Sequence, residues 1–185
     1  ERETLVRCIE RPSGGRQGHE RPDPTRFVSR IEAKLAEMGF ELPEPWPYPN
    51  PNRTAVVQVG QILYVSGHSP GLPDLPEIRH KGKVGLDVTI EEGYATSRAV
   101  MLMIVASLKQ FTGDLDRVKR VVRLYGMVNG GPDFRDYPKV IDGASDFVYE
   151  LWGTEFGQHA RTAIGVGGLP HDIVVEINGE FETAD

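Results

Sequence analysis

The chain has 185 residues, 39% apolar and 26% charged, and its 21 Lys and Arg against 27 Asp and Glu leave a formal charge of −6. That size suits one domain with an extension, and a core that needs no covalent staples. A lone cysteine, Cys8, excludes an intrachain disulfide framework and a Cys-rich zinc site, and the acidic balance argues against a general nucleic-acid or membrane-surface binder.

Residues 1–24 start at Glu1 rather than Met, contain no signal-peptide-like apolar stretch, and offer too little apolar surface to offset ordering. They are expected to form a flexible extension with no chemistry of its own. Thr25 to Met38 predicts a helix on the stripe Phe27, Ile31 and Leu35, with Thr25 or Asp23 at its start and Gly39 at its end. Pro43, Pro45, Pro47, Pro49 and Pro51 then form an extended connector, closing a segment over 25–52 that precedes the main domain at 53–185. Thr54–Val59 and Ile62–Gly67 predict two strands joined at Gly60-Gln61 by a type II′ turn. A long loop holding three prolines follows from His68 to Gly85. Thr89-Ile90-Glu91-Glu92 has the form of a capping box and opens a helix to Thr112, stopped by Gly113 and apolar nearly all round at Ala99–Ala106. That unbroken apolar run is eight residues, against about 20 for a membrane span, so the protein reads as soluble and cytoplasmic.

Val118–Val128 predicts a strand, Asp133–Trp152 a helix closed by Gly153, and Arg161–Val166 and Ile173–Glu182 the last two strands around a Gly-Leu-Pro-His-Asp loop. The order ββαβαββ places both long helices on one face of a mixed sheet, an α+β fold. The other face is left apolar and uncovered, and a second copy of the chain is its simplest cover.

Arg161, at the start of a strand, suits bidentate capture of a carboxylate, although a surface salt bridge is the commoner role for such a residue. Glu176 stands in an otherwise apolar strand and must face solvent, a cleft or a partner. If the last two strands form a hairpin, Arg161 and Glu176 lie roughly 7–10 Å apart along it. That gap would hold a small ligand, or each would serve a neighbouring subunit. In Ser66-Gly67-His68 the serine hydroxyl is a candidate donor and the glycine permits close approach. His19, His68, His80, His159 and His171 lack metal-ligand spacing, so no metal and no cofactor are expected. Gly165-Val166-Gly167-Gly168 leads into a strand and not a helix, so it is no phosphate loop, and no GxSxG elbow occurs. Arg117, Lys119, Arg120 and Arg123 read as a solvated strand face, with only Tyr125 near for base stacking.

HARTAIGVGGLPHDIVVEINGEFE at 159–182, with VGQILYVSGHSP, TIEEGYATSRA and GDLDRVKRVVRLYGMVN, resembles the RidA/YjgF family, also called endoribonuclease L-PSP, in a longer branch. The likeness covers about residues 26–182. It implies a chorismate-mutase-like fold and a homotrimer whose sheets pack as a central barrel with clefts between subunits. It also implies hydrolysis of reactive 2-imino and enamine acids to ammonia and a 2-oxo acid. By that resemblance Arg161 holds the substrate carboxylate, Glu176 positions water, and Ser66 and Gly67 line the site. Two positions depart. The family's cysteine two residues after the arginine is Ala163. The aromatic before the first strand is Arg53, whose second guanidinium would favour a second anionic group. The leading expectation is a metal-free imine deaminase acting on a small carboxylate-bearing substrate. A non-catalytic carboxylate-binding trimer, a hydrolase of another C–N bond, and a ribonuclease are the alternatives. No nucleic-acid or membrane partner is expected.

Overall fold

The computed structural model describes residues 29–71 and 78–184. The extension at 1–24 and Phe27 lie outside the described residues. Helix α1 is Arg30–Glu37, N-capped by Ser29, which is extended (φ −62°, ψ 151°) and whose Oγ accepts from the Glu32 amide at 3.1 Å; the expected starts Thr25 and Asp23 lie outside the described residues. Asp116 accepts from the Arg30 and Ile31 amides at 2.9 and 3.0 Å, so a carboxylate from the body completes this helix start. Ile31 and Leu35 face the core.

Strands β1 (Val56–Val59) and β2 (Ile62–His68) form the expected hairpin. Gly60 takes φ +58° while Gln61 stays negative, as a type II′ turn requires. Helix α2 (Ile90–Thr112) starts at the complete Thr89/Glu92 capping box and ends at Gly113, whose left-handed φ of +73° lets its amide reach the Lys109 carbonyl. It is buried along most of its length, and it packs so closely on helix α3 (Tyr137–Phe156) that Ser97 Oγ donates to the Val140 carbonyl at 2.7 Å. The second long helix starts at Tyr137 and not at Asp133, with Pro138 in its first turn, and it breaks at Gly153 as expected. Among the described residues no helix is long and apolar enough to cross a membrane.

Strands β3 (Val118–Asn129), β4 (Ala160–Val166) and β5 (Val175–Thr183) complete a five-stranded sheet in the order β1-β2-β5-β3-β4. The last two strands are therefore no hairpin. β5 inserts antiparallel between β2 and β3, while β4 lies parallel to β3 at the sheet edge. The link between them is a short 3-10 turn, Pro170–Asp172, that carries the chain past β3.

Both long helices cover one face, as predicted. Val175, Ile177 and Phe181 of β5 are fully buried beneath them, with Val121, Leu124 and Val128 of β3. The opposite face carries Val57, Val59 and Tyr64, exposed at 50%, 62% and 48%. The polar alternates of β5, Glu176, Asn178 and Glu180, share that face with Arg123, Tyr125 and Met127. Apart from the connector around Trp46 and Tyr48, which lies over its Glu176 end, no segment among the described residues covers it. The basic run is engaged locally: Arg123 forks onto Glu180 with two bonds of 2.8 Å, Lys119 donates to the Asp116 carbonyl, and Arg120 stacks over Phe156.

Candidate functional site

The strand end at Ser66-Gly67-His68 is pinned from below. His68 is buried, and the Ser66 carbonyl 2.8 Å from its Nδ1 only accepts, so Nδ1 carries the proton and Nε2 accepts from Ser107 Oγ at 2.8 Å. Burial pulls its pKa below the ordinary histidine value, keeping the ring neutral. From above, the proline-rich connector folds back over the same strand end: Tyr48 Oη donates to the Gly67 carbonyl at 3.1 Å, and its ring leans on His68.

Between connector and sheet opens a cavity of about 470 Å³, within the size range of small-molecule sites. Trp46, Tyr48 and Arg53 line one side, Ser66, Gly67 and Glu176 the sheet side, and His171 and Ile173 the end. Glu176 comes so close to the Gly67 backbone that a Cβ there would fall 2.0 Å from its Oε1. Only a glycine leaves the carboxylate this position. Among the described residues Glu176 takes no hydrogen bond or ion pair, and burial alone raises its pKa above the ordinary glutamate range. A half-buried carboxylate with free lone pairs, facing a cavity, is equipped to take a proton.

The loop wall is strained into place. His171 and Asp172 adopt φ of +56° and +60°, a left-handed pair. Asn129, fully buried at the end of β3, donates to Asp172 Oδ1 at 2.9 Å and accepts from Lys83 Nζ at 2.6 Å, while the Gly82 amide donates to the Asp172 carbonyl at 3.0 Å. These bonds offset the backbone cost and hold His171 at the cavity rim.

Of the residues expected at the site, Glu176, Ser66, Gly67 and Arg53 converge. Ser66 departs in its role: its hydroxyl donates to the Thr54 carbonyl at 2.6 Å, so it turns lone pairs and not a proton toward a ligand. Arg161 and Ala163 do not join them in the same chain. They pair in register with Leu124 and Gly126, on the helix-covered face, whereas Glu176 pairs with Met127 on the bare face. The 7–10 Å gap along a shared hairpin is thus replaced by opposite sides of one sheet. Arg161 donates to Asp142 Oδ1 at 2.6 Å and Ser145 Oγ at 3.2 Å, both on α3. Sequence reasoning misses Trp46, Tyr48 and His171 as site residues. The aromatics set between Pro45, Pro47 and Pro49 are the available signal, since a rigid ladder presents its side chains at fixed spacing.

A mixed sheet with helices on one face, a second face of mixed polarity and not the wholly apolar one expected, and a cavity built on a strand-end glycine and a carboxylate define an α+β chorismate-mutase-like fold. Residues 32–177 match the family described as "YjgF/chorismate mutase-like, putative endoribonuclease", and the chain belongs to that family. Protein TCP17 of Trypanosoma cruzi is 39% identical over 153 residues, covering 83% of this chain and 94% of that protein. Two solved structures are each 35% identical. An endoribonuclease-labelled protein of Shewanella oneidensis has a TM-score of 0.76, covering 82% of this chain and 98% of its own. The Agrobacterium tumefaciens protein Atu1372, of unknown function, has a TM-score of 0.73, with 83% and 92% covered.

Proposed function

We propose that the protein is a hydrolytic deaminase of reactive 2-imino and enamine acids, releasing ammonia and a 2-oxo acid, and that it works as a homotrimer. The observation that carries this reading is Glu176: half-buried, unpaired among the described residues, raised in pKa and set against Gly67 in a cavity. Such a group accepts a proton from water near neutral pH. The water oxygen bonds to the C2 carbon of the imine as its proton passes to Glu176. The C=N π bond opens onto nitrogen, which takes that proton from Glu176 to give a carbinolamine; Glu176 then relays the carbinolamine's hydroxyl proton to the nitrogen as the C–N bond breaks, leaving the 2-oxo acid and ammonia. Positioning of acid, water and base supplies a large share of the acceleration.

The substrate carboxylate needs a fixed cation. Arg161 lies on the opposite sheet face of its own chain, so under this reading a second copy delivers it. The bare sheet face with Val57, Tyr64 and Met127 is the surface on which copies meet, and burying it supplies the driving force. The endoribonuclease label of the family is the weaker guide, because Lys119, Arg120 and Arg123 are already engaged with carbonyl, ring and carboxylate partners of the same chain.

The test is ammonia release from a freshly generated 2-imino acid. Wild type accelerates it over buffer, and Glu176→Gln and Arg161→Ala each lower kcat/KM at least about 100-fold. Undiminished turnover in either variant refutes the assignment. Binding of 2-oxobutyrate without turnover would make the protein a carboxylate sensor instead.

A further inference from the structure

Arg53 lines the cavity from the connector side, at its solvent-facing rim, and no acidic side chain among the described residues lies within ion-pair distance of it. Tyr48 shares the lining with both: burial chiefly raises its pKa, the charge of Glu176 adds to that, and Arg53 opposes it. The cavity thus presents a carboxylate set against Gly67 and, at its exposed rim, a guanidinium with no ion-pair partner among the described residues. At about 470 Å³ it exceeds what a three-carbon acid fills.

We infer that Arg53 receives a second carboxylate, so that the preferred substrates are dicarboxylic 2-imino acids, with the C2 carbon over Glu176 and the distal carboxylate on Arg53. A planar guanidinium matches a carboxylate with two parallel hydrogen bonds, and Arg53 and Glu176 line one cavity. The substrate class rests on the deaminase reading above; the binding preference does not.

The 2-imino acids of alanine and glutamate are generated in situ by an amino-acid oxidase with catalase present, and ammonia release is followed. Wild type is expected to favour the dicarboxylic imine by about tenfold or more in kcat/KM, and Arg53→Met to bring that ratio to about one, with Arg53→Lys between. A wild-type ratio near one, or a ratio unchanged in Arg53→Met, overturns the inference. If neither imine is hydrolysed above buffer, the deaminase reading falls, and calorimetry with 2-oxoglutarate and 2-oxobutyrate decides this one. About tenfold tighter 2-oxoglutarate binding that Arg53→Met abolishes upholds it. Equal affinities, or no binding of either acid, overturn it.

Discussion

Replacing Gly67 by Ala separates the position of the Glu176 carboxylate from the stability of the fold. An added Cβ would sit 2.0 Å from Glu176 Oε1 and 2.9 Å from Cδ, where ordinary contact begins at 3.4 Å. The backbone of Gly67 is not left-handed, so alanine fits its conformation. The obstructing atoms belong to the free end of a flexible side chain, which rotates away at little cost. The expected loss of stability is therefore small, within about 1 kcal/mol, or roughly 2–4 °C in Tm for a chain of this size. The carboxylate, however, must retreat by more than about 1 Å from the position it holds, and a displacement of that size costs on the order of 100-fold in rate. Thermal unfolding and ammonia release on the same preparation give both numbers. A Gly67→Ala protein that keeps kcat within about threefold of wild type, with Tm intact, refutes the claim that Glu176 acts from its place against this glycine.

The raised pKa of Glu176 has a definite sign. Because burial holds its folded pKa above the unfolded value, the stability it contributes is present at pH below the ordinary carboxylate pKa and is lost as pH rises through the folded pKa. Glu176→Gln should thus melt above wild type at neutral pH, with the difference closing as the medium is acidified through that window; thermal melts across about pH 4–8 read it, and a constant difference contradicts it. Activity, in contrast, should rise over the same window as Glu176 ionises. Asn129→Leu removes the bonds to Asp172 and Lys83 from a fully buried site, and should cost about 2–3 kcal/mol by urea unfolding. Tyr64→Lys on the bare sheet face should lower the mass measured by light scattering from that of the proposed trimer toward monomer while leaving the far-UV spectrum unchanged.

Local chemistry made most of the fold legible. The Thr89–Glu92 box and Gly113 bracket α2 to the residue, and the odd-even pattern from Val175 to Thr183 fixes which side of β5 is buried. What did not show in the pattern was pairing. Two adjacent short strands around Leu169-Pro170 read as a hairpin because nothing local reveals that β5 crosses to the far side of β3. The crossing depends on Asn129 and Gly82, distant in sequence, holding His171 and Asp172 in left-handed conformations. The facing of β4 was hidden for a related reason. Arg161, Ala163 and Gly165 alternate with Thr162, Ile164 and Val166, and neither set is apolar enough to declare itself. Tertiary packing settles it: the Tyr137 ring lies where a Cβ of Gly165 would stand, 2.1 Å from its Cζ, so that glycine must face α3, and Arg161 faces the helix with it. The same parity has a chemical consequence. With Glu176 as the proposed proton acceptor and Arg161 as the proposed carboxylate anchor, one chain cannot place both on one small acid, because they face opposite sides of its sheet. The bare sheet face and the divided site therefore pose one problem: association that buries Val57 and Tyr64 is also the event that can bring a second chain's Arg161 to Glu176. Loss of the proposed trimer and loss of turnover should accordingly coincide in Tyr64→Lys, although Tyr64 is absent from the cavity lining.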